Sequence, residues 1–321
     1  MILYSISGME KNTTITKWRL KKSNKRTKKM RCSPMVAGKS VSKESCYTND
    51  TLLKIRDAYE RTHPDQPRIK GSPTQILKEL KDRMKAKCET EDCWLELLPK
   101  TQREYVDKYV FAPDQPKEWK SNPDEWLSNY DIIKVLKQYE IAYPNFRFLG
   151  PSPIDFDKHI KASANSTSTC VEETLCQFSL TKCMEEKKEK IGICFNLDDH
   201  EGPGTHWVSL FIDIPNKTMF YFDSALFDTP PEITEFTKRI LKQSDEAGLG
   251  IQFDKNTIQH QMSNTECGMY SLFFIITMLT QRWGGNGKRK YTITQLVRLF
   301  KNHRLKDSVV SDFRHKYFNS V

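Results

Sequence analysis

The chain has 321 residues, 51 Lys and Arg against 41 Asp and Glu, and 37% hydrophobic residues with a mean hydropathy of -0.65. That length allows about two domains of roughly 150 residues, and six Trp, twelve Tyr and seventeen Phe supply enough large apolar side chains for a packed core, which excludes wholesale disorder. The longest apolar run, 270–279, falls short of the ~20 residues that cross a bilayer, and residues 1–14 lack the charged-then-apolar order of a secretory signal, so a soluble, non-secreted protein without membrane contact is expected.

Nine of the basic residues lie between Lys17 and Arg31 with no acid among them, and the other 42 almost balance the 41 acids. The positive charge therefore belongs to a tail. Such a block is solvated unless it meets phosphates or an acidic surface, so residues 1–45 are expected to be a disordered basic tail, with 17–31 as a contact for nucleic acid or another polyanion. Its one aromatic, Trp18, does not supply the interleaving of a single-strand binder.

Ordered patterning begins near Cys46. Leu52, Leu53, Ile55 and Tyr59 recur near helical spacing, which predicts a helix over 51–62 that ends before Pro64. Ser72-Pro73-Thr74-Gln75 opens a second helix with an N-cap serine, proline in the first turn and the glutamine of a capping box. Ile76, Leu77, Leu80 and Met84 then line its buried face. A helical accessory region over 46–114 is expected ahead of one domain over 115–321, with a proline-rich linker over 111–123. The nine scattered cysteines give no disulfide framework and predict reduced thiols. Cys88 and Cys93 lack the second ligand pair that zinc needs, and neither a metal nor a cofactor is expected.

In the second part, Ile132, Ile133, Leu136 and Tyr139 predict a helix over 126–140. A polar loop over 161–169 and a charged turn over 185–190 precede strands expected over 191–197, 206–214 and 218–223. A shorter strand is expected over 257–261, and the apolar run 267–281 suits a buried helix. Strands with helices at their ends indicate an α+β fold.

Pro215-Asn216-Lys217 joins two strand-like runs into a hairpin whose paired positions should sum to about 430. His206 at the start of one strand then lies beside Asp223 at the end of the other. A carboxylate so placed fixes the ring tautomer and stabilises imidazolium. Cys267 falls where a polar loop enters the buried helix, and the helix N-terminus and a nearby imidazolium both favour its thiolate. Gln261, six residues earlier, can bring an amide to the same place and, with the Cys267 N–H, bind an oxyanion. Gly268 allows close approach. Any one of these residues alone is ordinary; their order and spacing together are not.

His206-Trp207, Asp223-Ser224 and Gln261 followed by Cys267-Gly268 resemble the SUMO-processing proteases and adenain, and Trp126-Leu127-Ser128-Asn129 is similar to that family's Trp-Leu-Asn-Asp segment. The resemblance implies a papain-related core, a central mixed sheet flanked by helices, with Trp126 over the tunnel for a substrate's Gly-Gly end. Trp207 would contact substrate or pack as a wall behind His206. Glu266 stands where the SUMO proteases usually have Asp, and Ser128 loosens the Trp-Leu motif. Thr265-Glu266-Cys267-Gly268 and the helical extension look more like the polyprotein-processing proteases of African swine fever virus and giant viruses. That branch implies protein substrates with Gly-Gly-Xaa sites and an enzyme found in virions and at assembly sites in host cytoplasm. A SUMO or ubiquitin isopeptidase, a Cys-dependent acetyltransferase and a non-catalytic polyanion-binding module are the alternatives.

Overall fold

A computed structural model of the chain describes residues 30–161 and 168–320. Most of the basic block, with the polyanion contact expected of it, and residues 162–167 of the polar loop lie outside the described residues.

The first part is helical: α1 (Asn49–Thr62), α2 (Pro73–Met84) and α3 (Lys100–Val110). The Thr48 side chain caps α1, and Ser72 and Gln75 close the expected capping box on α2, with Pro73 in the first turn. These caps satisfy N–H groups that a helix start leaves without partners. The apolar faces of α1 and α2 close over Tyr47, Trp94 and Phe111 in a cluster of their own.

Residues 30–45, expected in the tail, are packed instead. Met30 and Val36 join this cluster, and Cys32 pairs in a β-bridge with Phe111. The cause lies at the far end of the chain: the Asn319 side chain accepts from the Arg31 N–H and donates to the carbonyls of Arg31 and Ala112. The expectation of reduced thiols is likewise corrected. Cys32–Cys46, Cys88–Cys93 and Cys170–Cys176 are disulfide-bonded, while Cys183, Cys194 and Cys267 are free and buried. Local turns bring these pairs together, and spacing in the sequence does not reveal it.

The second part runs α4 (Asn129–Ala142), β1 (Phe146–Pro153), a small hairpin of β2 (His159–Ile160) and β3 (Thr169–Cys170), then α5 (Glu173–Cys176) and α6 (Leu180–Glu185). The strands β4 (Lys190–Asn196), β5 (Trp207–Asp213) and β6 (Thr218–Phe222) follow, then α7 (Pro231–Glu246), β7 (Gln252–Lys255), α8 (Cys267–Thr280), α9 (Ile293–Asn302), α10 (Asp307–Ser311) and α11 (Arg314–Tyr317). One sheet has the order β1-β4-β5-β6-β7. Its outer pairs, β1 with β4 and β6 with β7, are parallel, and the inner pairs are antiparallel. This is the mixed, helix-flanked sheet of the expected α+β fold.

Every residue of β5 is buried, because both faces of the sheet are covered. Phe211, Phe220 and Phe222 face the cluster built on α8, while Leu210, Ile212 and Tyr221 face the cluster that includes Phe236 of α7. The β5–β6 pairs sum to 431, one from the expected register. Asp213 holds the turn, accepting from the Asn216 backbone and side chain.

Two boundaries differ from expectation. The helix predicted over 126–140 begins at Asn129, because the Ser128 and Asp131 side chains form a capping box there and leave Trp126 outside. The segment 257–261, expected as a strand, is irregular; Thr257 and His260 instead bond to backbone groups of Lys301, Phe300 and Leu305 around the end of α9. The strand that pairs beyond β6 is β7, just upstream.

Phe274, fully buried on α8, stacks on Phe222 at 4.8 Å and meets Phe300 edge-on at 5.0 Å. Phe274→Ala is expected to lower unfolding free energy by about 3–5 kcal/mol, measured by urea denaturation; a loss under about 1 kcal/mol would mean the aromatic layer is not the core.

Candidate active site

Three structural pieces bring the expected site residues together. His206 precedes the first residue of β5, Asp223 follows the last residue of β6, and Cys267 opens α8. His206 Nε2 lies 2.7 Å from Asp223 Oδ1. A carboxylate only accepts, so Nε2–H is the donor and Nδ1 is left for Cys267, which lies near enough to influence the charge on the ring. Burial works against charge on the ring, but hydrogen bonds and charge from Asp223 and Cys267 outweigh it and push His206 up to about 9. An imidazole so held keeps a proton at neutral pH.

Asp223 is itself fixed on every side. Its Oδ1 accepts from the Ala225 N–H at 2.9 Å and its Oδ2 from the Phe227 N–H at 2.8 Å. Buried Asn256 accepts from the Asp223 N–H and donates to the Asp223 carbonyl. Asn256 was not singled out from the sequence, since nothing local marks an amide that reaches 33 residues back.

Gln261 is buried beside this pair. Its Oε1 accepts from the Ser224 hydroxyl and its Nε2 donates to the Ser263 carbonyl, which fixes the amide plane and leaves one Nε2 hydrogen. Glu266 gives α8 no side-chain cap, and the Cys267 N–H has no carbonyl partner among the described residues. A helix start with open N–H groups favours negative charge.

His260 adjoins Gln261 but is not part of the relay. Its Nε2 donates to the Phe300 carbonyl and its Nδ1 accepts from the Leu305 N–H. Burial, the largest influence, pushes it down to about 4, so it is a neutral structural ring.

A groove of about 570 Å³ leads to the site, lined among others by Trp126, Ser152, Asn196, Gly204, Thr205 and Trp207. Trp126 is 43% exposed on its wall. Trp207 is buried, and its Nε1 donates to the Leu127 carbonyl at 3.1 Å, so it serves as a wall that ties the Trp126 segment to β5. Gly268 permits this layer: a Cβ there would stand 3.0 Å from the Leu127 Cβ and 3.2 Å from the Trp207 ring. Asn196 accepts from the Asp198 and Thr205 N–H groups and so holds the loop that forms the rest of the wall.

Glu266 makes a buried ion pair with Arg314, whose Nε lies 3.2 and 3.1 Å from its two oxygens. The same guanidinium donates to the carbonyls of Pro123, Glu125 and Thr265 and lies over the Trp119 ring. One side chain thus ties the segment before Trp126 to the segment before Cys267. Arg314 carries no local signal either, being 48 residues from Glu266.

For a metal, the described residues offer one trio, His159, Cys170 and Cys176, with ligand atoms within 4.8 Å of one another. Its two sulfurs are bonded to each other, which leaves neither as a thiolate ligand.

A model of the Ulp1 protease family, C-terminal catalytic domain, matches residues 181–319. The thiol protease R355 of Acanthamoeba polyphaga mimivirus is 30% identical over 261 residues, 74% of this chain and 80% of that protein. A cysteine protease of African swine fever virus is 31% identical over 157 residues, 46% of this chain and 56% of that protein. The crystal structure of an African swine fever virus protease has the same fold, with a TM-score of 0.58 at 19% identity over 91% of this chain and 96% of that one.

Arg314→Met is expected to destabilise the protein by about 3–5 kcal/mol, because it leaves Glu266 buried without its counter-ion. Pairing it with Glu266→Gln should recover a measurable part of that loss in urea unfolding. Additive losses would show that the two side chains do not act as a pair.

Proposed function

The chain belongs to the Ulp1 family of cysteine proteases, and from that premise we propose that it is an endopeptidase cutting after Gly-Gly-Xaa in viral structural precursors, with Cys267, His206, Asp223 and Gln261 as its catalytic residues. The observation that carries this reading is the bonded His206–Asp223 pair near Cys267, with a groove walled by Trp126 whose lining takes in the two residues flanking His206.

The Cys267 thiolate attacks the scissile carbonyl, forming a carbon–sulfur bond as the carbonyl π electrons move to oxygen. The Cys267 N–H and the remaining Gln261 Nε2 hydrogen receive that oxyanion. The intermediate collapses with loss of the carbon–nitrogen bond, and His206 gives its proton to the departing amine. His206 then takes a proton from water, which attacks the thioester, and the acid product leaves as thiolate and imidazolium are restored. Asp223 holds the ring and its charge throughout. Trp126 selects glycine at the substrate's Gly-Gly end, since a side chain would collide with an indole on the groove wall. On this reading the enzyme travels in virions and acts at assembly sites in host cytoplasm, and the basic block holds nucleic acid. Deleting residues 1–29 should then remove salt-sensitive DNA binding; unchanged binding would remove that role.

Cleavage of a Gly-Gly-Xaa peptide library, beside folded SUMO and ubiquitin conjugates, tests the assignment. Wild type should cut free peptides and Cys267→Ala should not, while Gln261→Ala should lose about 10²–10³ in kcat. Cutting of folded conjugates alone would make the enzyme an isopeptidase.

The rate should also fall as pH rises through about 9, because the imidazolium that protonates the leaving amine is then lost. Asp223→Asn removes the carboxylate that raises His206, so burial dominates and this alkaline limb should move to lower pH. A limb unmoved in Asp223→Asn would separate Asp223 from His206.

A further inference from the structure

Beside His206, outside the lining of the groove, three large apolar side chains are exposed. Phe227 is 57% exposed, Met262 61% and Leu226 40%. They come from two segments that meet beside the ring, so they are neighbours and not scattered singly. Phe227 meets the His206 ring edge-on at 5.1 Å, and its N–H donates to the second oxygen of Asp223. Leu226, a bulky residue, sits at φ +60°, a conformation that side chains beyond glycine adopt at a cost. With it, the loop turns so that the Ala225 and Phe227 N–H groups both reach Asp223. Met262 comes from the neighbouring segment, where the His260 and Gln261 N–H groups both donate to the Ser224 carbonyl. These two bonds, 2.9 and 2.8 Å long, set the two segments side by side.

We propose that Phe227, Leu226 and Met262 form the subsite for the leaving segment of the substrate, and that this subsite takes apolar side chains in the first two residues after the cut. The inference rests on the endopeptidase reading above. His206 must hand its proton to the departing amine, so the chain carrying that amine passes in front of the ring. The acyl side of the substrate fills the groove, whose lining includes Thr205 and Trp207, the two residues flanking His206. The leaving side therefore runs out over the surface that meets the ring outside that lining, and that surface is Phe227. Covering it with an apolar side chain removes both partners from water, and an extended chain offers a side chain to it within two residues.

Two peptides that differ only in the two residues after the cut, Leu-Phe in one and Ser-Asn in the other, test this. Wild type should favour the apolar peptide by about tenfold or more in kcat/KM. Phe227→Ser should bring the ratio close to one, Phe227→Leu should retain most of it, and Met262→Ser, on the other segment, should lower it in part. A wild-type ratio near one overturns the subsite and leaves the endopeptidase reading standing. A ratio that stays fixed in Phe227→Ser while both rates fall together would mean that Phe227 acts only by holding Asp223 and His206, which also overturns it. If wild type cuts neither peptide, the endopeptidase reading fails and the subsite fails with it.

Discussion

Burial of α8 is the constraint on which the rest of this structure depends. From Cys267 to Leu279 every residue of the helix is buried, so it needs apolar partners all round. The sheet supplies one side through Phe211, Phe220 and Phe222, and Phe148, Leu136, Leu296, Phe300 and Phe313 complete the surrounding cluster. A helix enclosed in this way has little freedom to shift along its axis or rotate, because each movement would open voids in a close-packed interior. Its first residue is Cys267. The packing that stabilises the domain thus also fixes the sulfur relative to β5 and β6, whose ends carry His206 and Asp223.

The polar groups around the site then determine which way each functional atom points. Asp223 accepts from two backbone N–H groups and His206, while Asn256 holds its main chain. Arg314 does similar work at the other end, joining Glu266 to the carbonyls ahead of Trp126. Replacing a buried ion pair with apolar side chains is often neutral for stability, whereas removing one partner is not. The pair here has a geometric role: it holds the segment before Cys267 and the groove wall in one register. The glutamate before Cys267, a departure from the SUMO-protease pattern, is thereby accounted for by its reach to Arg314.

Much of this was legible in the sequence because the signals were local. The hairpin register followed from strand-like runs on either side of a short turn, and Ser72 with Gln75 marked the start of α2. The four residues His206, Asp223, Gln261 and Cys267 were singled out through their order and the elements that carry them, and the structure brings them near one another. Trp126 was placed in a helix because the apolar periodicity from Ile132 onward extends back to it; the Ser128–Asp131 capping box overrides that pattern. Segment 257–261 has the composition of a strand, yet its polar groups bond to the end of α9. Asn256, Arg314 and Asn319 act across long separations, and the cysteine pairs depend on how turns fold, so neither periodicity nor spacing could identify them. Phe227 had no sequence signal beyond being an aromatic residue shortly after Asp223; its significance comes from exposure beside His206.

The most direct test of the account is the site of covalent capture by a Gly-Gly peptide carrying a C-terminal vinyl ester, mapped by mass spectrometry of the whole chain under limiting reagent. On the proposed reading, in which His206 activates the Cys267 thiol and the groove accepts glycine, one adduct is predicted, on Cys267, that is lost in His206→Ala. Adducts on Cys183 or Cys194 instead, or capture at Cys267 that is unchanged in His206→Ala, would contradict it.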